Sequence, residues 1–318
     1  PRRSVAAAAS ASAAPTEVRR TISNNGEVVV SVATATAVVA EAARRHGSAP
    51  TATVALGRTM MGTLLLSCFK GDDEQVQLVF RGGGPMGQLT CIGDHVGNVR
   101  ATCTNPDADP PLRPDGKLDV GGAIGRLGVL TVVRSHPSMK EPFTGVVPIE
   151  SGEVAEDISA YLQNSEQVAS AVGLGVSIGR DGGVRVAGGW MVQLLPFAGE
   201  DTISALEANI AALPATTEML ESGADAEEIT ARILAGDVLG ASPGAQTLEP
   251  AYGPCDPEDL RGRMRRAVAS LGRQEIGEIL EEQGKVEVTC EFCKEVAVFG
   301  EEELLAALEP PPHPEEEG

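Results

Sequence analysis

Two cysteines three positions apart carry the most chemistry in this sequence. Cys290-Glu291-Phe292-Cys293 lies between two short segments with strand character, Lys285 to Thr289 and Val296 to Phe299. A tight turn between strands brings two thiols close enough to share a tetrahedral Zn²⁺ or to form a disulfide, and backbone N–H groups inside it favour the thiolate. A third thiol, Cys255, lies upstream, with 34 residues between it and Cys290. The candidate metal ligands and redox thiols are therefore Cys255, Cys290 and Cys293. Zinc in structural sites takes four ligands, and Asp256, Glu258, His313 or water are the candidates for the fourth. The bland alternative is a pair of buried cysteines with no role; the strand–turn–strand setting argues against it. Cys68 on an apolar helix face, and Cys91 and Cys103 in strand patterns, read as small core hydrophobes.

The elements that must position these thiols are legible around them. Asp256-Pro257-Glu258 predicts a helix start running to about Ser270, with a stop at Leu271-Gly272. Gln274 to Gln283 is a second helix and Glu301 to Leu308 a last one. Upstream, strands dominate: Val28 to Ala33, Gln75 to Phe80, Gly87 to Ile92, Val96 to Cys103, Gly128 to Arg134, Phe143 to Ile149, Val172 to Ile178, Val184 to Val186 and Trp190 to Leu195. Helices are expected at Thr34 to His46, Thr51 to Phe69 and Ile158 to Ser165. After Pro196 come short helical segments, Asp201 to Leu213, Thr216 to Ser222 and Ala226 to Leu234, with Asp201 and Asp225 as caps. No regular alternation of strand and helix appears. The expected fold class is α+β: a mixed β-sheet core with packed helices, a helical linker and a small C-terminal zinc-knuckle-like module. The expected divisions are 1–18 as a disordered transit-peptide remnant, 19–198 as the core, 199–244 as the linker, 245–309 as the redox or zinc module and 310–318 as a disordered acidic tail.

Composition narrows the functional classes. Hydrophobic residues make up 42% of 318, enough for a buried core, but aromatics are only 3%, too few for base-stacking platforms. A formal net charge of −20 repels phosphates, so no nucleic-acid partner and no anionic membrane partner is expected. No apolar run approaches the roughly 18 residues of a spanning helix. Pro1 to Pro15 contains Arg, Ser and Ala and no acid, in contrast to the rest of the chain, and reads as the end of an organellar transit peptide. The first residue is not methionine, which is read as processing or trimming. A chloroplast location is expected, with mitochondrion or cytoplasm as alternatives. Conventional active sites are missing from the pattern. There is no P-loop, and Gly82 to Gly87 reads as a hairpin turn. Gly173-Leu174-Gly175 is too weak a signal, and His46, His95, His136 and His313 have no metal spacing. Ser165-Glu166-Gln167 shows no His or Asp partner for nucleophilic catalysis.

Several motifs, in one order, resemble the heat shock protein 33 family of redox-regulated holdase chaperones. They are Leu56-Gly57-Arg58 with its long apolar helix; Gly84-Pro85-Met86-Gly87 followed by Gly116-Lys117-Leu118-Asp119-Val120; and Tyr161 to Gln167, leading to Leu174-Gly175-Val176 and Gly188 to Pro196. Ala269-Ser270-Leu271-Gly272 and Val286 to Cys293 complete the set, which spans nearly all of Arg19 to Leu308. The resemblance implies an N-terminal α/β core, a helical linker and a C-terminal zinc domain. It implies four thiolates on Zn²⁺ when reduced, and disulfides, metal release and loosening of the linker when oxidised. Apolar surface then binds unfolding or oxidatively damaged clients without ATP. An organellar eukaryotic member and a homodimer fit the same picture. One departure stands out. The family's upstream motif is Cys-x-Cys, and here Gly253 occupies the position two residues before Cys255. The resemblance then leaves room for one disulfide within the module, Cys290–Cys293, or for an inter-subunit bond through Cys255.

The leading reading is therefore a thiol-switched holdase and not an enzyme, with Zn²⁺ weakly bound or absent. A thiol-disulfide oxidoreductase using Cys290 and Cys293 is the first alternative. A redox-insensitive holdase or a zinc-stabilised interaction module is the second.

Overall fold

Two strands, β1 (Glu17–Ile22) and β2 (Val28–Thr34), begin the ordered pattern, joined by a turn in which Gly26 takes φ 74°. Helix α1 (Thr36–His46) ends on Gly47 in the left-handed conformation, and α2 (Pro50–Ser67) starts with proline in its first turn. Then come β3 (Gln75–Arg81), β4 (Gln88–Asp94), β5 (Asn98–Cys103), α3 (Val120–Ile124), β6 (Val129–Ser135), β7 (Phe143–Pro148), α4 (Ala155–Asn164), β8 (Ser170–Ile178) and β9 (Val184–Leu194). The structure is a computed structural model and describes residues 15–308.

Helix α2 is apolar on every side, and such a helix must be surrounded. All of its 18 residues except Pro50 and Arg58 are buried. It lies between two sheets, against β3, β4 and β5 and against β2, β8 and β9. Its threonines are tolerated there because Thr59 and Thr63 donate to the carbonyls of Ala55 (2.8 Å) and Thr59 (2.7 Å). Gly62 has no side chain because Ile158 of α4 occupies the space; a Cβ would sit 2.3 Å from its Cδ1.

Beyond β9 the chain forms α5 (Glu200–Ala212), α6 (Thr216–Glu221), α7 (Ala226–Ile233), β10 (Gln246–Leu248) and β11 (Ala251–Tyr252). The first sheet has the order β10-β1-β2-β9-β8 and the second β11-β5-β4-β3-β6-β7. Only β11 on β5 is parallel. All seven residues of β2 are buried because the strand is covered on both faces. Ala33 belongs to the core around α2, whereas Val28, Val30 and Val32 pack with Trp190, Val192, Leu206, Leu220, Ile229 and Ile233. The segment expected as a linker is thus a helical layer on the outer face of the first sheet.

The chain divides into two compact units, Pro1–Tyr252 and Gly253–Gly318. The boundary falls after Tyr252, eight residues beyond the expected one at 244/245. The reason is strand pairing: Leu248 pairs with Val18 and Tyr252 with Val99, which keeps this stretch in the first unit. The second unit holds α8 (Pro257–Ala269), α9 (Arg273–Gln283), the hairpin β12 (Val286–Thr289) and β13 (Val296–Phe299), and α10 (Glu301–Leu308).

The mixed sheets and helices agree with the expected α+β class, and several details differ. Glu17 and Val18, assigned in advance to the N-terminal remnant, are in β1; Arg19 and Arg20 interrupt the apolar alternation that would have marked the strand. The two expected segments Val184 to Val186 and Trp190 to Leu195 are one strand. Its glycines mark close approach, since a Cβ on Gly188 would lie 2.6 Å from the Ala33 carbonyl oxygen. Helix α5 is capped at Gly199 and not at Asp201, whereas Asp225 caps α7 as expected. The short elements α3, β10 and β11 had no periodic signal. The rest of the 1–18 segment and the 310–318 tail lie outside the described residues.

Asp157 shows how the loop before α4 is held. It is fully buried, and its carboxylate accepts N–H bonds from Glu150 (2.8 Å), Ser151 (3.1 Å), Gly152 (3.4 Å) and Val154 (3.0 Å). Asp157→Ala strands these donors and is expected to lower stability by about 3 kcal/mol, read as a drop in the urea midpoint of the first unit.

Candidate thiol site

The thiols sit in the second unit. Pairing of Val286 with Phe299 and Thr289 with Val296 sets up the hairpin, and residues 290–295 form its turn. The Cys290 N–H donates to the Glu295 carbonyl, and the Lys294 N–H donates to the Cys290 carbonyl, both at 2.9 Å. Lys294 takes φ 59°, the left-handed conformation that lets the turn close. Cys255 comes immediately before the cap of α8. There Asp256 is the cap, its carboxylate accepting from the N–H groups of Glu258 (3.1 Å) and Asp259 (3.0 Å).

Folding brings all three predicted thiols together through Cys293. Cys293 is 3% exposed, while Cys255 and Cys290 are half-buried. The Cys293 thiol is in hydrogen-bond contact with the sulfurs of Cys290 and Cys255. Burial first, and then these two bonds, push it up to about 12, against a lowering contribution from the Glu295 backbone N–H. At neutral pH Cys293 is a protonated donor and a weak nucleophile.

Three sulfurs are a donor set that zinc accepts chemically, but a fourth ligand is missing. Among the described residues, no group of three or more His, Cys, Asp or Glu side chains is arranged to hold a metal ion. Asp256 is engaged as a helix cap, Glu258 is exposed, and His313 lies outside the described residues. Gly253, where the resemblance places a fourth thiol, takes φ 154°, and a Cβ there would lie 3.0 Å from the Cys255 nitrogen. The residues present do not fit a closed four-ligand zinc site.

Elsewhere, Cys68, Cys91 and Cys103 are buried in the core of the first unit. Burial pushes Cys68 and Cys91 up to about 12. Glu166, dismissed as part of a partnerless Ser-Glu-Gln, is the centre of an ion-pair network: Arg134 reaches it at 2.6 Å and Glu74 at 3.3 Å, and the Tyr161 hydroxyl donates to it at 2.8 Å. Nothing in local sequence signals that network, because Glu74, Arg134 and the Tyr161–Glu166 stretch come from three separated segments. An apolar groove of about 220 Å³ also runs where α5 meets the first sheet, lined by Ala171, Val192, Leu194, Ile203, Leu206 and Ile210 among others. No helix among the described residues is long and apolar enough to cross a membrane.

Comparison with known proteins gives this arrangement a family. The family model described as Hsp33 protein matches residues 17–300. The 33 kDa chaperonin of Shouchella clausii is 41% identical over 288 residues, which are 90% of this chain and 94% of that protein. The 33 kDa chaperonin of Geobacter sulfurreducens is 39% identical over 288 residues, 90% of this chain and 92% of its own. Among solved structures, the 33 kDa chaperonin (heat shock protein 33 homolog) of Thermotoga maritima superposes with a TM-score of 0.83 at 34% identity, covering 92% of this chain and 97% of that one. The match runs through both units, from β1 to the end of the thiol hairpin, and on it the chain belongs to the Hsp33 family of chaperones.

Proposed function

We propose that this chain is an ATP-independent holdase whose access to clients is governed by oxidation of Cys255, Cys290 and Cys293. Membership of a chaperone family supports the binding of unfolded proteins in general. The observation that carries the finer reading is the double cover on β2. Val28, Val30, Val32, Trp190 and Val192 form a continuous apolar face shielded by α5, α6, α7 and the turns beside them, including Leu234 and Leu239. Those helices carry eight acids, Glu200, Asp201, Glu207, Glu218, Glu221, Asp225, Glu227 and Glu228, against Arg232. Such a layer repels itself and is soluble when lifted, while the face beneath it would bind exposed apolar segments of other proteins. The groove beside α5 is the part of that surface already open.

An oxidoreductase role is less well supported. Its first cysteine should be exposed and activated, usually at a helix N-terminus. Cys290 instead follows a strand, and Cys293 is buried and protonated. We therefore assign no turnover to the thiols. Their role is to hold a unit of 66 residues that is too small to bury a large core. Zinc would add sulfur–metal bonds to that unit when bound, and the open fourth position means weak binding. The acid-free segment Pro1 to Pro15 supports plastid import, which a fluorescent fusion carrying residues 1–18 checks by its location.

Three measurements follow. Light scattering of a thermally unfolding client, without nucleotide, is expected to show suppression by this chain; no suppression in either the reduced or the peroxide-treated state overturns the holdase reading. Ile229→Ala combined with Ile233→Ala removes two fully buried side chains of α7 and weakens its docking by roughly 2–5 kcal/mol per site. The reduced variant is expected to bind more client and more hydrophobic dye than the parent. Metal analysis of the reduced protein, after competition with a chelator, is expected to give less than one zinc per chain. Gly253→Cys adds the missing thiol at a strained backbone and costs the second unit on the order of 1–3 kcal/mol.

A further inference from the structure

The first sheet ends on an open edge. Its order places β8 last, so β8 has a strand partner, β9, on one side only. In an antiparallel ladder alternate N–H and C=O groups point away from the partner. Among the described residues, no hydrogen bond from a segment other than β9 reaches the backbone of residues 171–177. Such a row of donors and acceptors is a template for another strand.

The two faces of β8 differ. Val172, Leu174, Val176 and Ile178 turn toward the core around α2. The opposite face carries the small residues Ala171, Gly173, Gly175 and Ser177. The apolar groove of about 220 Å³ lies on that side, with Ala171, Val192 and Leu194 on its sheet side and Ile203 and Ile210 on its helix side. Ile203 and Ile210 are only half-buried, so their apolar surface is accessible.

Trp190 adds an independent observation. It is 8% exposed, and its indole Nε1–H is buried with no hydrogen-bond partner. An unpaired buried donor is costly and is relieved by an acceptor. A Cβ on Gly173 would lie 2.5 Å from Nε1, so the N–H edge of the indole lies over β8. Because Gly173 has no side chain, a polar side chain on an added strand can reach across it to that donor.

We propose that the open edge of β8 and the groove beside it form a strand-addition site, which takes an extended, mainly apolar peptide segment flanked by Lys or Arg. The inference rests on the holdase reading above and deepens it by stating where, and in what form, a client segment is held. Backbone bonds to β8 hold any sequence in extended form, and alternate side chains enter the groove. Charge selects the occupant. Helix α5 carries Glu200, Asp201 and Glu207 and no Lys or Arg, and Glu207 lines the groove. A second copy of this chain would bring the same acids and a net charge of −20 against themselves, whereas a segment with cationic flanks is attracted.

The test uses the full chain, reduced and peroxide-treated, and a short fluorescein-labelled peptide of alternating Val and Thr with Lys at both ends. Binding is read by anisotropy, and in the parent also by the emission of Trp190, the single tryptophan. Two further peptides are N-methylated at every second residue, one on each edge. One of them is expected to bind about tenfold more weakly, because its edge faces β8, and the other to bind like the parent peptide. Replacing a central Thr by Gln should strengthen binding to the parent chain and not to Trp190→Phe. Ile203→Ser combined with Ile210→Ser should weaken binding by about tenfold, with folding checked by circular dichroism. Glu207→Lys, a surface change, should weaken the Lys-flanked peptide and strengthen a Glu-flanked one. Absence of binding in both redox states overturns the proposal, as does equal weakening by both N-methylated peptides or indifference to Glu207→Lys. Suppression of client aggregation is measured on the same chains. Suppression without peptide binding removes the strand-addition site and leaves the holdase reading; peptide binding as expected without suppression does the reverse.

Discussion

An 18-residue helix that is apolar on all sides sets the terms for the first unit. Once α2 forms, its whole circumference must be taken out of water, and one sheet covers only part of it. Two sheets close around it, with α1 and α4 filling the gaps. Glycines at positions 57 and 62 of the helix allow that closeness, since Val39, Val176 and Ile158 occupy the space a side chain would take. This enclosure leaves the first sheet with a second apolar face, and the need to cover that face brings in α5, α6 and α7.

The two units are held by different physics. The first is stabilised by burial spread over dozens of aliphatic side chains. The second has few: among its described residues, Leu260, Met264, Val268, Ile276, Val286, Ala297, Phe299 and Leu304 are the buried apolar ones outside the thiol site. Arg261 adds a cation–π contact, its guanidinium 4.6 Å from the Phe299 ring centre, and a 2.7 Å ion pair with Glu303. The guanidinium is partly exposed, so both contacts are of modest value.

Much of this was legible along the chain. The strand–turn–strand setting of Cys290 and Cys293, the Asp256-Pro257 helix start and the apolar run of α2 are local patterns, and each is found close to where it is expected. The misses share one cause. In β1 two arginines break the apolar alternation, and β10, β11 and α3, with three, two and five residues, are too short for a period to show. They exist because Val18, Leu248 and Tyr252 have strand partners distant in sequence. The helical layer was expected as a connector for the same reason: amphipathic spacing shows that α5, α6 and α7 have a buried side, and not what they bury it against.

At the thiols the division is sharpest. Residue order alone determined that only three cysteines could belong to the site and that Gly253 stands where a fourth would be. Nothing in that order distinguishes the three. Their solvent access and contacts depend on how the turn at 290–295 and the start of α8 are packed together. That packing buries Cys293, leaves Cys255 and Cys290 half-exposed, and places one sulfur against two others. Covalent composition limits how many bonds the site can make, and tertiary structure selects which sulfurs can meet, because a disulfide or a hydrogen bond needs sulfurs a few ångströms apart and spacing along a chain does not specify distance in space.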